Sequence, residues 1–236
     1  MQLNGLKILK TSSNTQSQPF VVVCVPGNNF SKEFVTSLID TIDFFNNNDT
    51  GITFSIGYNS VVYFVRNQLL GADVLRGKDQ KPFDGKLPYT HILWIDSDII
   101  WSPDTHIKPL FAHNVDVVSG LYHMIDGKTF AAVLKKDWDL DYFQKHGTFR
   151  FANATDFTEL KLVEVAYSGF GFMLMKKGVM ESLEYPWFKQ LEIKIGDNIV
   201  DMTSEDLCAC LKLREKGYKI WVDPTICVGH QKTLTL

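Results

Sequence analysis

Short apolar runs and helix-spaced apolar positions take turns along this chain, and that alternation predicts most of its elements. The run "FVVVCV", Phe20 to Val25, is β-branched and stops at Pro26-Gly27-Asn28-Asn29, which predicts a strand feeding a loop. From Ser31, a natural N-cap, Phe34, Leu38, Ile42 and Phe45 recur at helical spacing. "GITFSIGYN" predicts a second strand, and "SVVYFVRNQLLG" a second helix ending near Gly71. Residues 73–90 are polar and hold Pro82, Gly85 and Pro88, which predicts a surface loop. "HILWID" is a strand pattern, Ser102-Pro103 opens a helix expected to stop at Pro109, and "VDVVSGLY" is a further strand.

Strands alternating with helices predict an α/β fold whose central, mostly parallel sheet is covered on both faces. Ligands in such sheets bind beyond the carboxyl ends of the strands, where Asp96, Asp98 and the Pro26–Asn29 loop stand. After residue 119 the pattern loosens. "KTFAAVL", "LKLVEVAYS" and "FGFMLMKK" read as strands around a polar stretch from Lys135 to Asp156. A last helix, "SEDLCACLKLREKG", leads into "YKIWVDPTICVGHQ". The expected organisation is a lead-in at 1–19 and a single domain at 20–236, with halves 20–118 and 119–236.

Composition narrows the function classes. In 236 residues, 45% are hydrophobic and 22% charged, with net charge −3 and no long basic run, which argues against a nucleic-acid partner. No apolar run is long enough to span a bilayer, and residues 1–19 lack the apolar centre of a secretion signal. Cys24, Cys208, Cys210 and Cys227 lack paired zinc-site spacing and are expected to be reduced and mostly buried. A soluble cytoplasmic protein is expected, with peripheral membrane attachment or membership in a longer chain as the other options.

Four short features carry candidate chemistry. Asp96-Ser97-Asp98 follows an apolar strand and forms a compact oxygen site suited to Mg²⁺ or Mn²⁺, or else an Asx-type turn that ends the strand. Ser204-Glu205-Asp206 opens a helix, where acidic residues either complement the helix dipole or supply a general base. His230 emerges from a strand near the chain end, as a surface residue or a ligand acceptable to Mn²⁺. Gly169 and Gly171 either let a ligand approach the backbone closely or mark a strand bulge.

In this order the features resemble the GT-A fold of nucleotide-sugar-dependent glycosyltransferases. "ILWIDSDI" is similar to the D-x-D strand end of that family, "SGFGFML" to its glycine-bearing acceptor segment, "SEDLCACLKLREKGYKIWVDP" to its acidic helix, and "VGH" to its C-terminal histidine. The likeness covers about Phe20 to His230. It is nearest to small family-2-like enzymes of large DNA viruses and phages and, more loosely, to certain mannosyltransferases.

The resemblance implies a Rossmann-like N-terminal half and a metal-dependent sugar transfer, with inversion, from a UDP- or GDP-sugar to a glycan or glycoprotein acceptor. It implies Mn²⁺ (or Mg²⁺) bound by Asp98 and His230, with Asp96 on the metal or the ribose. Pro26, Gly27, Asn28, Arg66, Asn67 and Ser97 would complete the nucleotide-sugar site. Asp206 would be the general base, with Glu205 as its rival. Tyr167, Gly169, Phe170, Gly171 and Trp187 would form the acceptor side, Tyr167 or Trp187 stacking on a sugar ring. Two other readings compete. One is a haloacid-dehalogenase-like, Mg-dependent phosphatase with Asp96 as nucleophile, whose motif spacing fits poorly at Ile100. The other is a non-catalytic nucleotide-sugar-binding module.

Overall fold

A computed structural model describes residues 7–8 and 19–232, so the expected lead-in lies outside the described residues except for Lys7, Ile8 and Pro19. In chain order the elements are β1 (Lys7–Ile8), β2 (Phe20–Pro26), α1 (Lys32–Asn47), β3 (Gly51–Gly57), α2 (Val62–Leu69), β4 (His91–Ile95), β5 (Ile99–Ile100), α3 (Lys108–Ala112) and β6 (Val117–Leu121). They continue with β7 (Ala132–Leu134), α4 (Leu140–His146), β8 (Val163–Ser168), β9 (Phe172–Lys176), β10 (Glu192–Lys194), β11 (Val200–Met202), α5 (Glu205–Glu215), β12 (Ile220–Cys227) and β13 (Gly229–His230).

Nine strands form one sheet in the order β1-β3-β2-β4-β9-β6-β12-β8-β7. β2 is buried on both faces, as its unbroken apolar run requires, and pairs in parallel with β3 and β4. β6 and β12 are also parallel. The other pairings are antiparallel, so the sheet is mixed rather than mostly parallel. β8 and β9, separated only by Gly169–Gly171, are not neighbours in the sheet: β8 lies between β12 and β7, and β9 runs antiparallel to both of its partners. β9 comes from the second half of the chain and lies between β4 and β6, and the division expected at residue 118 falls inside β6.

One face of the sheet packs Val22, Cys24, Trp94 and Met173 against Val65 and Leu69 of α2 and Ala209 and Leu213 of α5. The other packs Val21, Val23 and Leu93 against Phe34 and Phe45 of α1 and Leu110 of α3. Leu38 and Ile42 are only half-buried, and Ser37 and Thr41 take the inner positions instead. The partner that turns α1 this way is Trp101. Ser37 Oγ donates to the Trp101 carbonyl (2.6 Å), and Thr41 Oγ1 accepts from Trp101 Nε1 (2.8 Å).

Other departures have local causes. The 73–90 segment is not a surface loop throughout, because Gln80, Phe83, Leu87 and Tyr89 are buried in it. The helix opened at Ser102-Pro103 starts as a wide π turn and runs on to Ala112 as α3. Pro109 falls in the first turn of α3, where a missing N–H is tolerated. Cys24, Cys208 and Cys210 are buried as expected, but Cys227 is exposed. No helix among the described residues is long and apolar enough to cross a membrane.

Candidate active site

β4 is followed directly by Asp96, whose N–H donates to the Gly171 carbonyl just before β9 (2.9 Å). Its carboxylate would be costly there alone, and the compensating charge is Arg66 of α2. Arg66 Nη2 donates to Asp96 Oδ1 (3.0 Å) and Oδ2 (3.3 Å), and Arg66 Nε donates to Glu205 Oε1 at the start of α5 (3.1 Å). The guanidinium is buried among Trp94, Phe170 and Phe188, with ring centroids 5.6, 5.7 and 6.0 Å away. Burial alone favours loss of its proton, but Asp96, Glu205 and Asp206 outweigh burial and hold it charged. Arg66 is therefore a buried bridge between the strand end and α5.

Asp98 has different partners. Its Oδ2 lies 3.1 Å from His230 Nε2, which donates to it when the imidazole is protonated, and it accepts from Lys232 Nζ (2.7 Å). Burial pulls its pKa upward, but these two hydrogen bonds prevail and bring it down to about 2. β13 pairs antiparallel with β5, His230 opposite Ile99, which carries the histidine to the D-x-D turn. His230 Nδ1 donates to the His123 carbonyl (2.6 Å), leaving Nε2 to face Asp98. That fixed tautomer is how ligating histidines are usually oriented. An ionised carboxylate oxygen and an imidazole nitrogen this close fit a shared divalent cation, with phosphate and water completing its shell. Among the described residues no three His, Cys, Asp or Glu side chains converge as a preformed cage, so a protein-only site is not present.

The hydrogen bond to Asp98 raises the pKa of His230 against the opposing effect of burial. For a raised histidine, the stabilisation is complete below about pH 6.5 and is lost as pH rises through the folded-state value. Without divalent metal, the melting temperature is therefore expected to fall on that limb, and His230→Gln to flatten it. The amplitude should stay below about 3 °C, since Asp98 is 39% exposed. Calorimetry from about pH 5.5 to about pH 8.5 measures it, and an unchanged slope in the variant would rule the pair out.

α5 opens at Ser204, whose Oγ caps the helix by accepting from Leu207 N–H (3.4 Å). The two acidic residues that follow diverge. Glu205 points inward to Arg66, and burial, then the Asp206 charge, push its pKa up against the pull of Arg66. Asp206 is half-buried, and Tyr167 Oη donates to its Oδ2 (2.7 Å). Ser204 Oγ and Leu207 N–H serve its Oδ1. Asp206 makes no ion pair among the described residues, so it is the better placed of the two to accept a proton.

Other expected residues separate into those at the site and those that build it. Gly27, with φ +153°, lies against Ser97, and a Cβ there would come within 2.3 Å of Ser97 Oγ. The first loop and the D-x-D turn thus touch, with Pro26 buried behind them and Asn28 exposed. Asn67 instead pins the 188 segment, donating from Nδ2 to the carbonyls of Tyr63 and Phe188 (both 2.7 Å). Trp187 and Phe170 are fully buried and offer no face to a sugar ring. Gly169 and Gly171 make room for Tyr122, since added Cβ atoms would lie 2.0 Å from its hydroxyl and 2.7 Å from its Cζ. The close approach expected there is made by a side chain of the chain itself. The sequence reading missed Tyr122 and Lys232. Lys232 lies two residues beyond His230, a strand period that puts both on one side, which is the signal that could have found it.

No protein-family model matches the chain, and no curated protein matches it. Among solved structures it is similar to A197 from STIV, with 18% identity over 90% of this chain and 86% of that one, and a TM-score of 0.50. It is also similar to GalNAc-T7 solved with UDP, GalNAc and Mn²⁺, with 12% identity over 94% of this chain and 45% of that one (TM-score 0.46). A third is 4-diphosphocytidyl-2C-methyl-D-erythritol synthase from Anaerococcus prevotii, with 9% identity over 92% and 90% of the two chains (TM-score 0.42). At such identities the likeness is one of fold, a mixed α/β chain with a large central sheet flanked by helices.

Proposed function

We propose that this chain is a metal-dependent glycosyltransferase on a GT-A scaffold, moving a sugar from a nucleoside-diphosphate sugar to an acceptor hydroxyl with inversion. The observation that carries this reading is the meeting of Asp98 and His230, 132 residues apart in sequence, at 3.1 Å beyond the carboxyl end of β4. Asp98 and His230 would hold Mn²⁺ or Mg²⁺. When bound, the cation supplies neutralisation of the charge that builds on the leaving diphosphate.

The residues of the chain do the rest. The Gly27–Ser97 contact gives the UDP- or GDP-sugar a floor where backbone is close and side chains are few. Asp206 accepts the proton of the acceptor hydroxyl, whose oxygen forms the new bond to the anomeric carbon. The bond from that carbon to the phosphate oxygen breaks, and the nucleoside diphosphate leaves with the electron pair. Tyr167 holds Asp206 in orientation by donating to one of its carboxylate oxygens. A glycan or glycoprotein acceptor would approach from the α5 side. The phosphatase alternative needs Asp96 as nucleophile and Glu205-Asp206 on Mg²⁺, and of these the Asp96 and Glu205 side chains are held by Arg66.

The test is a thermal-shift screen of UDP, GDP and their sugars with and without Mn²⁺. Ligand binding raises apparent stability by mass action, so one nucleotide should give a metal-dependent shift. Asp98→Ala is expected to abolish that shift. A wild-type shift in this variant would remove Asp98 from the metal site.

A further inference from the structure

His230 Nε2 and Lys232 Nζ converge on the same oxygen, Asp98 Oδ2. The ammonium thus stands beside the pair of atoms suited to a divalent cation, and at 2.7 Å it is the closer partner of the carboxylate. Its anchoring is specific: Gln231 N–H donates to the Asp98 carbonyl (2.7 Å), and His230 is fixed by its β13–β5 pairing. The Lys232 side chain itself is 41% exposed, so it can swing away without opening the core.

We propose that Lys232 is a tethered counter-cation that occupies the metal's place on Asp98 in the free protein and transfers to the donor diphosphate when both ligands arrive. This rests on the glycosyltransferase reading and adds to it a binding order. An ammonium and a dication on one carboxylate oxygen repel at contact distance, so each weakens the hold of the other. Metal alone pushes Lys232 into water. Metal arriving with a diphosphate offers Lys232 a new anionic partner within reach of its flexible stem. Metal and nucleotide therefore bind with strong mutual dependence. An exposed Lys–Asp pair contributes little to folding, so stability alone does not account for this placement.

The experiment titrates Mn²⁺ calorimetrically into the wild type, Lys232→Met and Asp98→Ala, first alone and then with saturating UDP or GDP. Without nucleotide, Lys232→Met is expected to bind Mn²⁺ about fivefold tighter than the wild type, the size of one exposed ion pair that no longer has to be broken. In the presence of Mn²⁺, the same variant should bind the nucleoside diphosphate about fivefold more weakly. The coupling between the two ligands then shrinks. Equal Mn²⁺ affinity in the wild type and Lys232→Met, with Asp98→Ala weaker than both, overturns the counter-cation role and leaves the metal reading standing. Absence of Mn²⁺ binding in both the wild type and Lys232→Met, with or without nucleotide, overturns the two together.

Discussion

Arg66→Met is expected to destabilise the fold by about 3–5 kcal/mol, the largest stability loss of any single change at the site. The cost comes less from losing an attraction than from what is left behind. Asp96 and Glu205 face the guanidinium with side chains 29% and 11% exposed, and without it two carboxylates share a poorly hydrated space. Methionine keeps most of the volume against Trp94, Phe170 and Phe188, so the cavity contribution is small. Urea unfolding of the variant measures the loss. Arg66→Met combined with Asp96→Asn and Glu205→Gln should recover at least half of it, because neutral amides need no counter-ion. If the triple variant is no more stable than the single one, the bridge acts through packing rather than charge.

The largest effect on turnover is expected from Asp206→Asn. General-base catalysis contributes about 10²–10⁴-fold, and the amide cannot take the acceptor proton. Donor binding should be untouched, since Asp206 stands on α5 while Asp98 and His230 lie beyond β4. The variant therefore keeps the metal-dependent thermal shift and loses hydrolysis or transfer of the nucleotide sugar that gives that shift. Glu205→Gln should show the opposite balance, a loss of stability through Arg66 with a smaller effect on rate. A rate loss in Glu205→Gln equal to that of Asp206→Asn would reassign the base.

The parts legible in the sequence were those whose chemistry is local. Asp96-Ser97-Asp98 stands out because two acids end an apolar strand, and Ser204-Glu205-Asp206 because a cap precedes two acids at a helix start. Arg66 and Asn67 were harder. On α2 they sit beside Val65 on the buried stripe, and no local cue separates a buried arginine from an exposed one when its partners lie 30 and 139 residues away. Ser37 and Thr41 failed for the same reason, since the binary pattern assigns polar residues to solvent until Trp101 is seen to bond them. Trp187 illustrates the converse. An aromatic residue near an acidic helix suits sugar stacking, but burial depends on the whole fold. The antiparallel insertion of β9 is a matter of sheet order, which periodicity does not encode.

That insertion also bears on how a nascent chain reaches its working form. β4 finds one neighbour, β2, as soon as both have been made, but its opposite edge stays bare until β9 has left the ribosome. Through that interval an apolar strand with unpaired amides is open to wrong partners, and a chaperone or rapid completion of synthesis must cover it. Asp96 is anchored by the carbonyl that immediately precedes β9, so the chemistry of the first half stays unformed until most of the second half exists.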